Sequence, residues 1–289
     1  FTEFKILQGL KYRINFGPDL TITRGGRFIG SRTNARKFGD AQAATASGFG
    51  FNYTLENILN YNKTFSAKHN LNVTLLHSIQ RDDFEGYLTN VQGVPAETQS
   101  FYGLGSATSI LGVGSTLTEL TINSYMARVN YDFNDKYLLT MTLRRDGSSR
   151  FGENSKYGNF PGIALGWNLS NESFMKSVTW LDLLKVRVGW GKVGNQGVSP
   201  YQTQGLLGRT AYAWGATPAY GYRPNSIGNP DLRWESSSTS NIGVDFSFLR
   251  GKIQGSLEFY ETHTKDLLLS DQLPGSTGFN AVTRNVGET

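Results

Sequence analysis

The 289 residues contain no cysteine. That removes disulfide scaffolds, thiolate metal sites and a cysteine nucleophile from consideration. Histidine is scarce: His69, His77 and His263 are the three present. None has close metal-ligand spacing, and His69 and His77, on a strand and its approach, cannot chelate as a tight pair. No apolar run approaches the roughly 18 residues of a membrane-crossing helix. No block of basic residues occurs, and the net charge of +5 is modest and spread along the chain, so nucleic acid is not an expected partner. No nucleophile-elbow Gly-x-Ser-x-Gly is present, and Ser148 and Ser149 have no histidine close in sequence to serve as a base. Neither an enzyme activity nor a catalytic residue, metal or cofactor is therefore expected. Gly103-Leu104-Gly105 lacks the rest of a phosphate-loop spacing and reads as a flexible loop. The sequon Asn52-Tyr53-Thr54 falls inside an alternating segment and reads as chance. The opening Phe1-Thr2-Glu3-Phe4 has neither the basic nor the apolar region of a signal peptide. The expectation is that the chain begins within a longer protein.

What is abundant is glycine, 34 residues, together with 14 tyrosines and 18 phenylalanines. Apolar and polar residues alternate with a period of two in about ten segments, the pattern of strands whose faces meet different surroundings. A short strand at 2–7 comes first. Leu10, Tyr12, Ile14 and Phe16 then oppose Lys11, Arg13 and Asn15. Phe49, Phe51, Tyr53 and Leu55 oppose Gly50, Asn52 and Thr54, and Leu71, Val73, Leu75 and His77 oppose Asn72, Thr74 and Ser78. Tyr125, Ala127, Val129, Tyr131 and Phe133 oppose Arg128, Asn130 and Asp132. Tyr137, Leu139, Met141 and Leu143 oppose Leu138, Thr140, Thr142 and Arg144. Ile163, Leu165, Trp167 and Leu169 oppose Ala164, Gly166 and Asn168. Leu184, Val186, Val188 and Trp190 oppose Lys185, Arg187 and Gly189. Val244, Phe246 and Phe248 oppose Gly243, Asp245 and Ser247. Ile253, Leu257 and Phe259 oppose Gln254, Ser256 and Glu258. Each strand is only half apolar, so mean hydropathy is slightly negative even though the pattern is that of an antiparallel transmembrane β-barrel with lipid outside and a wet lumen inside.

The connectors alternate as well. Short turns are expected at Gln8-Gly9, 62–68, Asn134-Asp135 and Arg250-Gly251, and long connectors at 25–45, 85–118, 146–156 and 192–232. The exception, 168–182, sits on the short-turn side with a helical turn near 172–176. Barrels of the outer membrane have short periplasmic turns and long extracellular loops, so the alternation orients the chain. Tyr131, Phe133 and Tyr137, with Trp167, Trp180 and Trp190, suit interfacial girdles. The other reading is aromatic packing in a β-sandwich core, but a sandwich rarely uses connectors this long.

Particular motifs resemble one family. Tyr137-Leu138-Leu139-Thr140 is followed by Leu143-Arg144-Arg145-Asp146-Gly147-Ser148-Ser149-Arg150-Phe151-Gly152. Lys156-Tyr157-Gly158-Asn159-Phe160-Pro161 and Gly166-Trp167 come next. Asn171-Glu172-Ser173-Phe174, Leu184-Lys185-Val186-Arg187 and Gly191-Lys192-Val193-Gly194-Asn195-Gln196 precede Asn229-Pro230-Asp231-Leu232-Arg233-Trp234-Glu235 and the run from Tyr260 to Leu268. In order and content these resemble the SusC/RagA family of TonB-linked outer-membrane transporters, over most of residues 120–289; earlier residues match in strand pattern only. The resemblance implies an up-and-down barrel of 22 strands with an N-terminal plug. It also implies import of oligosaccharides or peptides driven by the TonB complex through the plug, and a SusD-like surface lipoprotein as lid. About ten strands are too few to close such a barrel. Residues 1–289 are therefore expected to be part of the barrel domain, with the plug and the barrel's C-terminal part outside them, in contact with outer-membrane lipid. The alternative from another class is a passive pore or a structural or adhesive surface barrel.

Candidate functional residues follow from the polar face: Arg128, Asn130, Arg144, Lys185, Arg187, Gln254 and Glu258 would face the lumen. Tyr212, Trp214, Tyr220 and Tyr222 in the longest connector could supply faces for sugar rings or pack on themselves or on a lid. Neither set identifies which residues touch cargo. The cluster Arg144, Arg145, Asp146 and Arg150 could bind substrate, but the Asp-Gly-Ser-Ser that follows Arg145 is turn chemistry, which favours a salt-bridged strand end that fixes a loop.

Overall fold

A computed structural model describes residues 1–215 and 217–289. Among the described residues fourteen strands run in chain order: β1 (Thr2–Leu7), β2 (Leu10–Ile29), β3 (Gln42–Phe65), β4 (His69–Gln92), β5 (Ser109–Phe133), β6 (Tyr137–Ser148), β7 (Tyr157–Asn168), β8 (Leu181–Asn195), β9 (Leu207–Trp214), β10 (Thr217–Pro224), β11 (Glu235–Phe248), β12 (Ile253–Lys265), β13 (Leu268–Gln272) and β14 (Ala281–Asn285). Ten form one antiparallel sheet in the order β1-β2-β3-β4-β5-β6-β7-β8-β11-β12, and β9–β10 and β13–β14 are separate hairpins. Neighbouring strands in the main sheet follow one another in the chain save for the β9–β10 insertion, which is the up-and-down connectivity the alternation implies.

The turns explain part of the order. Ser66 and Ala67 after β3, and Asn134 and Asp135 after β5, take successive positive φ angles, the I′-type geometry that matches strand twist in tight hairpins. Between β1 and β2 the turn relies on Gly9, at φ +85°, where a Cβ would collide with the carbonyl oxygen of Asn62; only glycine suits both demands. The exception on the short-turn side holds two 3₁₀ turns, Leu169–Asn171 and Ser173–Met175. β7 therefore stops at Asn168, and Leu169 opens the first of these turns rather than extending the strand.

Two of the long connectors are corrected. Strand takes up nine of the 21 residues of 25–45 and 18 of the 34 residues of 85–118, and the true connections are 30–41 and 93–108. Polar and glycine residues such as Arg24-Gly25-Gly26-Arg27 and Arg81-Asp82-Asp83 hide the period, because without one buried or lipid-facing side nothing enforces an apolar stripe. The longest connector also carries the β9–β10 hairpin.

The contacts divide the chain into two units. The first comprises residues 1–15, 56–79 and 122–289. Within it, register lines the apolar residues into continuous rows. Phe133 faces Tyr137, Tyr137 faces Trp167, Trp167 faces Val186, Val186 faces Val244 and Val244 faces Leu257. One row along, Tyr131, Leu139, Leu165, Val188, Ile242 and Phe259 pair in the same way. These side chains are largely exposed, as a lipid-facing surface must be. A small buried core lies among the connectors, where Phe151, Val198 and Leu232 pack with Trp234 and Leu268.

The second unit, 16–55 and 80–121, holds the long-connector halves of β2 to β5. Its core is Ala43, Val91 and Val94 packed by Phe28, Phe101, Leu104 and Ala107. The Ser31 backbone N–H donates to Glu97 Oε1 at 3.1 Å, and hydrogen bonding to Ser31 holds the Glu97 carboxyl below the ordinary range. Phe101 lies over Gly26 and Phe84 over Gly48 and Gly50, aromatic rings covering glycines that would otherwise leave the sheet bare.

Candidate functional site

The polar face of the first unit is built by the same register as its apolar face. Arg187 on β8 is directly opposite Gly243 on β11, which is opposite Glu258 on β12. A Cβ on Gly243 would come within 2.9 Å of the Arg187 Cζ, so the glycine lets the guanidinium lie flat across the strand. Arg187 Nε then reaches Asp245 Oδ2 at 3.2 Å and Nη1 reaches Glu258 Oε1 at 2.9 Å. Asn241 Nδ2 donates to the same Glu258 oxygen at 3.0 Å. One cation thus ties three strands together, and a planar fork is the group suited to two carboxylates at once.

Next to this node the face has little side-chain bulk. Thr140, Thr142, Gly162, Ala164, Gly189, Gly191, Thr239 and Asn241 line a trough of about 350 Å³, which Ile163 and Trp190, between them in β7 and β8, also touch. Toward the short turns an amide ladder follows. Thr140 Oγ1 donates to Asn130 Oδ1 at 2.9 Å, Asn130 Nδ2 to Asn72 Oδ1 at 3.3 Å, and Asn72 Nδ2 to Asn62 Oδ1. This ladder borders a cavity of about 430 Å³. Such a surface presents amide and hydroxyl groups to water and to polar solutes. Among the described residues no three His, Asp, Glu or Cys side chains converge to hold a metal.

The structure places the expected residues unequally. Arg187 and Glu258 meet; Asp245 and Asn241, their partners, were not singled out by the sequence, although both share the parity of Gly243. Asn130 enters the ladder. Arg128 Nε donates to Thr142 Oγ1 at 3.2 Å. Lys185 stands opposite Asp245 and Gln254 opposite Ser247. Arg144 pairs with Asp146 at 2.8 Å and with Ser124 Oγ at 3.1 Å.

The arginine cluster divides. Arg150 Nη1 donates to the carbonyls of Val198 at 2.7 Å and Gln196 at 3.2 Å, pinning one connector to another, while Arg145 stacks on Tyr157 on the opposite face. Ser148 is buried and its Oγ accepts the Arg150 N–H at 3.2 Å. The histidines lie elsewhere, His69 against Tyr131 and His77 against Tyr125. In β9–β10, Tyr212 meets Trp214 edge-on at 5.3 Å and Arg209 stacks on Tyr220 at 3.9 Å. All four aromatics of that hairpin remain exposed.

A second polar node was not foreseen. Glu172, buried, accepts from Lys136 Nζ at 2.7 Å, Tyr137 OH at 2.8 Å and Trp167 Nε1 at 3.1 Å. It fastens the β5–β6 turn to the end of β7. Hydrogen bonding to Lys136 first, then to Tyr137 and Trp167, lowers its carboxyl from 4.5 to about 2. A depressed carboxyl contributes stability that is fully present above its unfolded value and lost as pH falls through the folded value. Thermal unfolding of the native protein is thus expected to drop in temperature between pH 4.5 and about 2. Glu172→Gln should melt lower at neutral pH and respond less in that window. An unchanged pH response in the variant would show that the charge at Glu172 is not the cause.

Comparison with known proteins follows the same lines. The family model described as TonB dependent receptor-like, beta-barrel matches residues 4–289. TonB-dependent receptor P39 of Formosa agariphila is 34% identical over 289 residues, covering 98% of this chain and 26% of that protein. TonB-dependent receptor SusC of Bacteroides thetaiotaomicron is 41% identical over 176 residues, covering 59% of this chain and 17% of that protein. The solved structure of the RagAB peptide transporter superposes with a TM-score of 0.91 at 23% identity, over 99% of this chain and 32% of that one. The chain spans between about a quarter and a third of the length of P39 and of the RagAB chain.

Proposed function

Because this chain belongs to the TonB dependent receptor-like β-barrel family, we propose that it forms part of the barrel wall of an energy-coupled outer-membrane importer of oligosaccharides or peptides. The observation that carries the reading is the two-sided register. Rows of Leu, Ile, Val and aromatics occupy one face, and a charge-balanced Arg187–Asp245–Glu258 node, a glycine–threonine trough and an amide ladder occupy the other. The first face suits lipid and the second a water-filled passage.

In this reading the plug and the remaining strands belong to parts of the protein outside these residues. TonB acts through the plug, and a SusD-like lipoprotein covers the extracellular side. Support for an extended outer surface comes from strand length. β3, β4 and β5 have 24, 24 and 25 residues, more than twice the roughly 9–11 that cross a bilayer, with the excess on the long-connector side.

Uptake of cognate oligosaccharide or peptide by cells carrying the intact protein should fall to background when TonB is inactivated. Uptake that persists without TonB would mean a passive pore. No uptake in either strain, with the protein folded in the membrane, would mean a structural or adhesive barrel.

A further inference from the structure

The lipid-facing side of β6 ends in a cation. Met141 and Leu143 are exposed on that face, and Arg145 follows two residues later on the same side, also exposed. No carboxylate lies within ion-pairing distance of Arg145 among the described residues, in contrast to Arg81, Arg144, Arg187 and Arg233, which are all paired. Its guanidinium instead sits 4.7 Å from the centre of the Tyr157 ring. That ring is fixed in turn: Tyr157 pairs with Gly147, where a Cβ would come within 2.5 Å of the ring's Cε1. Tyr125 is directly opposite Arg145 on β5, and His77 stacks on Tyr125 at 4.9 Å between centroids.

The level of this group in the membrane follows from the strand. Tyr137 and Trp167 mark the short-turn girdle. Arg145 lies eight residues further along β6, about 27 Å at the rise of an extended strand, or about 21 Å of membrane depth at the usual strand tilt, close to the full height of a barrel's apolar band. An unpaired arginine held by an aromatic ring at the outer edge of that band is placed where outer-leaflet headgroups lie. Guanidinium binds phosphate through two parallel hydrogen bonds, and here its orientation is set before the ligand arrives.

We propose that Arg145, with Tyr157 and Tyr125 beside it, binds the phosphate of an anionic outer-leaflet lipid carrying a phosphate monoester, of the lipid A type. The proposal rests on the reading of this chain as an outer-membrane barrel wall and adds a ligand on its outer surface.

The test is native mass spectrometry of the intact protein, delipidated in detergent and titrated with bisphosphorylated lipid A. Arg145→Gln is expected to weaken binding about fivefold, the usual worth of one basic residue at an anionic lipid surface. Arg145→Lys should fall between the two, because it keeps the charge and loses the planar fork. A dephosphorylated form of the same glycolipid should bind native protein and Arg145→Gln alike, and excess inorganic phosphate should not displace lipid A. Equal affinity of native protein and Arg145→Gln for lipid A would overturn the proposal. So would displacement by inorganic phosphate, which would indicate a small-anion site. The heat-dependent gel shift of a folded barrel checks each variant. Should Arg145→Gln fail it, Tyr157→Leu, which keeps the cation and removes its support, is expected to weaken binding, and unchanged binding there overturns the proposal equally. If the native protein itself fails to fractionate with the outer membrane, the barrel reading falls instead.

Discussion

Ile163→Arg is expected to destabilise the folded protein by about 2–4 kcal/mol, while Ala164→Arg, one residue along the same strand, leaves it nearly unchanged. Ile163 lies in the apolar row between Met141 and Trp190. It is four residues from Trp167 at one girdle and four from Asn159, the partner of Arg145, at the other rim. That places it about 14 Å along the strand from each edge, near the bilayer midplane, where a lipid-facing arginine costs most. Ala164 points to the trough beside Thr140 and Gly189, where water can solvate a charge and an added side chain has space. Reversible unfolding in lipid vesicles measures both. Equal penalties would mean that the two faces meet the same medium, and the assignment of lipid and lumen would be wrong.

Leu232→Ala is expected to cost about 2–5 kcal/mol in the local stability of the connector cluster, the range for emptying a packed leucine site. Leu232 has no exposed surface and packs with Phe151 and Val198, with Trp234 and Leu268 around them. These residues come from connectors far apart in the chain, and their polar links converge too. Trp234 Nε1 donates to the Lys156 carbonyl at 3.0 Å, and Arg150 holds the carbonyls of Gln196 and Val198. The prediction is faster hydrogen exchange at 151–156, 196–198 and 232–234 with little change in β5 to β8. Protection that stays native in those segments would show that Leu232 does not organise them.

What the sequence revealed depended on which surroundings each segment meets. From β5 to β8, and again in β11 and β12, one face meets lipid. Leu139, Leu165, Val188 and Ile242 therefore had to be apolar and their neighbours did not, and the parity assigned Arg187 and Glu258 to the polar side before any register was known. The signal weakened in the long-connector halves of β2 to β5: Phe49, Phe51, Tyr53 and Leu55 kept a legible stripe in β3, but Arg24-Gly25-Gly26-Arg27 in β2 and Arg81-Asp82-Asp83 in β4 interrupt the alternation. Partnerships were less legible than faces. That Asn241 and Asp245 meet Glu258 and Arg187 depends on register across three strands, and Glu172 becomes a node only when the β5–β6 turn and the end of β7 come together. The Arg144–Arg150 run looked like one cluster because its members are adjacent in sequence. Strand geometry sends Arg144 and Arg145 to opposite faces, and Arg150 lies beyond the end of β6.

The most direct test of the account uses the lack of cysteine. Single cysteines placed in turn at Gly162, Ile163, Ala164, Leu165 and Gly166 in the intact protein, in whole cells, would be labelled with a small membrane-impermeant thiol reagent able to enter the passage. The account predicts labelling at Gly162, Ala164 and Gly166 and protection at Ile163 and Leu165, because the even positions face water and the odd ones lipid. Uniform labelling, or labelling of the odd positions alone, would contradict it.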